Sequence, residues 1–229
     1  MNYTLKDRGY FETLKRITEE LSRHNISYAL VGGAAVQTRV ADVLSRANKL
    51  SIPDIPELET LLRKTKDFDI TTKPLEENFS FVSFFNEFQA LNPDLSIIEE
   101  GPKTKRINLS GKNPVSVILN YQAGPQDLYG LDSSFYFECI DTAEELDLRY
   151  NNSRSKVRVA KPEYIITSKL TRADSKDIWD ISVLLKTIEQ HRNYTPKFKP
   201  SLVKFLLERA GRGEIYGRLE EIQKQILKK

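Results

Sequence analysis

One cysteine (Cys139), one tryptophan (Trp179) and two histidines (His24 and His191) are spread over 229 residues. A single thiol closes no internal disulfide and builds no multi-cysteine metal framework. It suits a reducing compartment, so cytoplasm is the expected location, and Cys139 reads as a small buried hydrophobe. The two histidines lie far apart with no paired ligands beside them, and a zinc site is not expected. No apolar run approaches the roughly 20 residues that cross a bilayer, so no membrane partner is expected. Met1 to Arg8 is polar, unlike a secretory signal. Neither sign of charge dominates: 35 Lys and Arg stand against 32 Asp and Glu. The net charge of +3 is a mild bias toward anionic partners such as nucleotides or RNA.

Hydrophobic residues at 39% and charged residues at 29% describe a folded globular chain. Tyr10, Leu14, Ile17 and Leu21 recur at helical spacing, which predicts an amphipathic helix ending at Asn25. Ser27 to Val31 is short, apolar and β-prone, and it runs into Gly32-Gly33 and then the helix-prone Ala34-Ala35-Val36-Gln37: strand, glycine turn, helix. A loop from Leu44 to Pro56, a short helix over Glu57 to Arg63 and a strand over Asp67 to Thr71 follow. The Phe-rich segment 79–91 reads as a helix packed on a sheet, and strands are predicted over 95–99, 106–110, 115–120 and 135–140. From Lys161 the pattern is helical, with Pro162 and Glu163 at a helix start and breaks at 194–200 and 211–213. The expectation is an α+β fold with a mixed β-sheet flanked by helices, divided into a core over 1–160 and a helical C-terminal region over 161–229.

Two features carry chemistry. A Gly-Gly turn between strand and helix leaves backbone N–H groups uncovered and lets a phosphate approach the positive end of the helix dipole. Asp67 and Asp69 lie two apart on one strand, so both carboxylates face one side while Phe68 and Ile70 face the other. Converging carboxylates suit a hard cation such as magnesium. For each feature alone the bland alternative stands: a geometric turn, and a solvated strand face.

Together, Tyr28-Ala29-Leu30-Val31-Gly32-Gly33-Ala34-Ala35-Val36 and Arg63-Lys64-Thr65-Lys66-Asp67-Phe68-Asp69-Ile70 resemble the signature of the DNA polymerase β-like nucleotidyltransferase superfamily. A third block, Lys169 to Ile181 with Lys176-Asp177-Ile178-Trp179-Asp180-Ile181, resembles the AbiEii-like nucleotidyltransferases, which include type IV toxin–antitoxin toxins. The resemblance spans about residues 10 to 185. It implies a nucleotidyltransferase-like sheet and a Mg2+-dependent transfer of a nucleoside monophosphate from a nucleoside triphosphate to an acceptor. An RNA such as a tRNA end is one such acceptor, and a cognate antitoxin protein is an implied partner. On that reading Asp67 and Asp69 are the metal ligands. Lys169 neutralises triphosphate charge, Asp177 orients Lys169 or activates the acceptor, and Asp180 braces the network. Gly32, Gly33, Arg39, Arg63 and Lys176 contact the nucleotide.

One departure counts against activity. Superfamily members usually carry a third carboxylate on a following strand, and here Ser116, Asn120 and Asn108 occupy the candidate positions. Fewer anionic ligands weaken magnesium binding and remove the obvious base. A degenerate member acting as a nucleotide- or protein-binding module is therefore the alternative, and modification of a small molecule such as an aminoglycoside is a third reading.

Overall fold

The computed structural model describes residues 3–65, 67–73, 90, 95–100, 104–109, 116–120 and 129–227. These form β1 (Tyr28–Val31), β2 (Asp67–Thr72), β3 (Leu95–Glu100), β4 (Thr104–Leu109), β5 (Ser116–Asn120), β6 (Glu144–Tyr150) and β7 (Ser153–Val159). The helices are α1 (Arg8–Arg23), α2 (Gly32–Asn48), α3 (Leu58–Leu61), α4 (Ser133–Asp141), α5 (Pro162–Arg172), α6 (Ser175–Gln190), α7 (Pro200–Arg209) and α8 (Tyr216–Leu227). The expected α+β architecture is present: one mixed sheet ordered β3-β4-β5-β2-β1-β7-β6, helices against it, and a helical C-terminal part.

Pairing explains where the site sits. β2 is a central strand, antiparallel to β1 with Val31 opposite Asp69, and parallel to β5 with Asp67 opposite Ser116 and Asp69 opposite Ile118. Successive side chains of a strand alternate between faces. Phe68 accordingly stacks on Tyr10 of α1, ring centroids 4.1 Å apart, while Asp69 meets the first residue of α2. α2 is the central helix, with every residue from Gly33 to Ser45 buried. Ala34, Ala35 and Ala41 keep its profile slim enough for the sheet to pack on it and for α5 and α6 to pack as well.

Two expectations fail locally. Residues 135–140, read as a strand, lie inside α4: the Asp132 side chain accepts a hydrogen bond from the Phe135 N–H at 2.8 Å and starts a helix that apolar content alone did not reveal. The hairpin β6–β7 was not anticipated. Its inward residues Leu146, Leu148 and Tyr150 alternate with exposed charged residues, and Asn151, at φ 51°, makes the turn. Apart from residue 90, the Phe-rich segment 79–91 lies outside the described residues. Among the described residues, no helix is long and apolar enough to cross a membrane.

Candidate active site

β1 ends in Val31, and the chain turns through Gly32 at φ +68° into α2. Left-handed backbone favours glycine, and here the space demands it too: a Cβ on Gly32 would overlap Oδ2 of Asp69. A Cβ on Gly33 would lie 2.6 Å from Nη2 of Arg63 and 3.6 Å from Oγ1 of Thr65. The glycine corner, the second strand aspartate and an arginine thus meet at one point. The N-terminus of α2 has no side-chain cap and no acidic residue in its first turn, and the acid beside its first residue is Asp69.

Asp67 and Asp69 are both half-buried on the same strand face. Burial holds the Asp69 carboxyl above the usual carboxylate range and Asp67 adds to this, against the opposing pull of Arg172, Lys169 and Arg63. Among the described residues no side chain donates a hydrogen bond to either carboxylate. Nearby Tyr10 donates its hydroxyl only to the backbone carbonyl of Asp67, at 3.4 Å.

Behind the corner runs a chain of alternating charge. Arg172 donates through Nε to Oδ2 of Asp177 and through Nη2 to Oδ1, both at 3.1 Å. Lys169 donates to Asp177 Oδ1 at 2.9 Å and to Asp180 Oδ2 at 2.6 Å. Arg63 closes the series on Asp180, with Nε at 2.9 Å from both oxygens and Nη2 at 2.8 Å from Oδ2. The three inner members are almost fully enclosed, whereas the side chains of Arg172 and Arg63 keep 31% and 26% exposure. The series therefore fixes two partly open guanidinium groups near Asp69, each held by a fork that lysine could not make.

No protein-family model matches the chain, and neither does any curated protein. Among solved structures, the solution structure of the antibiotic-resistance factor ANT(2'')-Ia aligns with 15% identity and a TM-score of 0.49, covering 96% of this chain and all of the other. A nucleotidyltransferase-like antigenic protein from Paracoccidioides brasiliensis aligns with 18% identity and a TM-score of 0.46 over 90% of this chain and 91% of its own. JHP933 from Helicobacter pylori gives 17% and 0.46 over 95% and 92%. These likenesses are faint in both sequence and superposition.

The structure brings Gly32, Gly33, Arg63, Asp67 and Asp69 together, while Lys169, Asp177, Arg39 and Lys176 are each engaged by other partners. Lys169 is 1% exposed and bonded to two aspartates that also hold Arg172 and Arg63, so in this structure it faces carboxylates and not the corner. Asp177 is enclosed with Lys169 and Arg172 on its oxygens, an arrangement that agrees with orienting Lys169 and not with activating an acceptor. Arg39, 4% exposed, donates to the carbonyls of Ala160 and Val159 and to Glu144, tying α2 to the sheet rather than facing the corner. Lys176 is an exposed lysine paired with Asp174 at 3.2 Å. Sequence reasoning missed Arg172 as a site residue. Its signal was a cation at the end of α5, five residues before the buried Asp177.

Two hard carboxylates on one strand face, mutually repelling and without a protein cation bonded to them, form a donor set that fits magnesium, which is commonly held by one or two carboxylates plus substrate phosphates. Among the described residues, no group of three His, Cys, Asp or Glu side chains is placed to hold a metal. The register neighbours Ser116 and Ile118 add no third charge.

Proposed function

We propose that this chain is a polymerase β-like nucleotidyltransferase that moves a nucleoside monophosphate from a nucleoside triphosphate to an acceptor hydroxyl, with pyrophosphate leaving. The observation that supports this best is the meeting of Gly32, Gly33, Asp69 and Arg63 at the uncapped start of α2. The triphosphate would lie against the first N–H groups of α2, with Arg63 and Arg172 offering guanidinium donors to its oxygens. Asp67 and Asp69 would hold Mg2+, which when bound supplies positive charge to the phosphates during the displacement. Lys169, Asp177 and Asp180 keep the arginines in place, so residues 161–229 brace a site carried by the 1–160 core. Following the AbiEii-like resemblance, we assign the acceptor as RNA such as a tRNA end, the role as a cytoplasmic toxin, and the partner as a cognate antitoxin. The test is incubation of the purified chain with labelled triphosphates, Mg2+ and total cellular RNA. Label should enter RNA and vanish in Asp69→Ala; labelling by that variant at the wild-type rate refutes the role of the acids.

The neutral register partners of the strand acids support a second reading, a nucleotide-binding protein without turnover. Calorimetry showing tight binding of a magnesium triphosphate, with no label in RNA or protein, selects it.

A further inference from the structure

We infer that Trp179 is a stacking platform for an unpaired base of a single-stranded RNA acceptor, an inference that rests on the nucleotidyl-transfer reading of the corner. Trp179 is the chain's one tryptophan, and it is 50% exposed on a helix whose neighbouring residues Asp177, Asp180 and Ile181 are buried. Its ring is not loose: the indole Nε1 donates to the carbonyl of Leu61 at 3.3 Å, fixing the plane against the end of α3. An aromatic face held in place but left in water is costly in apolar exposure and suited to stacking a base.

Its place is beside the Arg63 clamp, and the lysines around it favour a strand of several phosphates over a single nucleotide. Leu61 precedes Arg63 by two residues, and Asp180, next to Trp179 in sequence, is the carboxylate that clamps Arg63. The indole and the Arg63 clamp are thus held by the same two segments, 61–63 and 179–180. Arg172 has its own aromatic neighbour, with the Tyr129 ring centroid 6.0 Å from its guanidinium carbon. Arg172 is thus flanked by one exposed ring, and Trp179 lies on the turn of α6 whose Asp180 clamps Arg63.

The charge around Trp179 matches a phosphate backbone. Lys176 lies one helical turn before it with its side chain 60% exposed, Lys64 is exposed beside Arg63, and Lys186 continues the same face of α6. Asp177 and Asp180, the acids nearest in sequence, are buried in ion pairs with Lys169, and Asp174 at the start of the helix is paired with Lys176. A ring interleaved with cations is the usual means of binding single strands.

With one tryptophan in the chain, its emission reports Trp179 alone. Wild-type protein is titrated with a single-stranded oligoribonucleotide of about 12 residues, within the site sizes typical of single-strand binders, and separately with Mg2+ and each nucleoside triphosphate. RNA should quench the emission, and triphosphates alone should leave it unchanged. Anisotropy of the labelled oligonucleotide should show Trp179→Ala binding about tenfold more weakly, the usual worth of one base–aromatic stack, and Trp179→Phe restoring most of the loss. Circular dichroism checks both folds, and if the alanine variant does not fold the wild-type titration and the phenylalanine variant decide. Emission unmoved by saturating RNA, equal quenching by a triphosphate alone, or undiminished RNA binding by folded Trp179→Ala each overturns the platform. RNA quenching without transfer from any triphosphate refutes the transfer reading and leaves the platform. Transfer to a non-RNA acceptor without RNA quenching does the reverse.

Discussion

Two pairs of aspartates lie within this fold, and they are treated in opposite ways. Asp177 and Asp180 on α6 are enclosed and saturated: Lys169 bridges them, Arg172 holds one and Arg63 the other. Asp67 and Asp69 on β2 share a face, repel each other, and take no side-chain hydrogen bond from any described residue, although three cations influence Asp69. One pair is neutralised by three cations, whereas burial and Asp67 hold the Asp69 carboxyl of the other above its usual range, which is the contrast expected if the second pair serves a cation that arrives with its ligand. The first pair holds two arginines in place through forked ion pairs.

The largest contrast should appear in activity. Asp69→Ala should lower nucleotide transfer at least about a hundredfold, because even outer-shell partners of a metal commonly cost about 10–100-fold, while the fold survives by circular dichroism. If that variant keeps full transfer, the two pairs are not functionally different. In stability the ranking should reverse. Lys169→Met leaves two enclosed carboxylates without their shared cation and should cost about 3–5 kcal/mol in urea unfolding, whereas Asp69→Asn should be neutral or stabilising because it removes a charge that burial disfavours. A Lys169→Met protein as stable as wild type would show that the α6 pair is not held by charge.

Arg39 and Arg63 sharpen the comparison further. Arg63→Ala should weaken binding of a magnesium triphosphate about tenfold, as the loss of a charge-assisted bond of about 1.5–3 kcal/mol implies. Arg39→Met should cost about 3 kcal/mol of stability by leaving Glu144 and two carbonyls without their donor, with triphosphate affinity unaltered in calorimetry. The smallest effect belongs to Lys176→Ala: an exposed pair with Asp174 should shift the unfolding midpoint by less than about 0.5 kcal/mol.

What could be read before the fold was known follows from the range of the interactions involved. The glycine corner and the β2 acids are local patterns, since strand alternation places Asp67 and Asp69 on one face and a Gly-Gly between strand and helix leaves little choice of geometry. The start of α5 at Pro162 was marked by its own residues. By contrast, 135–140 was misread because Asp132, outside the apolar run, decides for helix, and β6 was passed over because its exposed charges mask the alternation. Arg39 and Lys169 could not be placed from sequence at all. Whether a buried cation faces a ligand or a carboxylate depends on partners 105 and 11 residues away in those two cases, Glu144 for Arg39 and Asp180 for Lys169.

The central claim is that the β2 acids and the glycine corner share one bound magnesium triphosphate. Calorimetric titration of the four nucleoside triphosphates with Mg2+ into wild type and Asp69→Asn tests it most directly. At least one triphosphate should bind wild type with Mg2+ present, weaken sharply when Mg2+ is removed, and lose that dependence in the variant. Equal, metal-independent affinity in both proteins, or no binding to wild type, would contradict it.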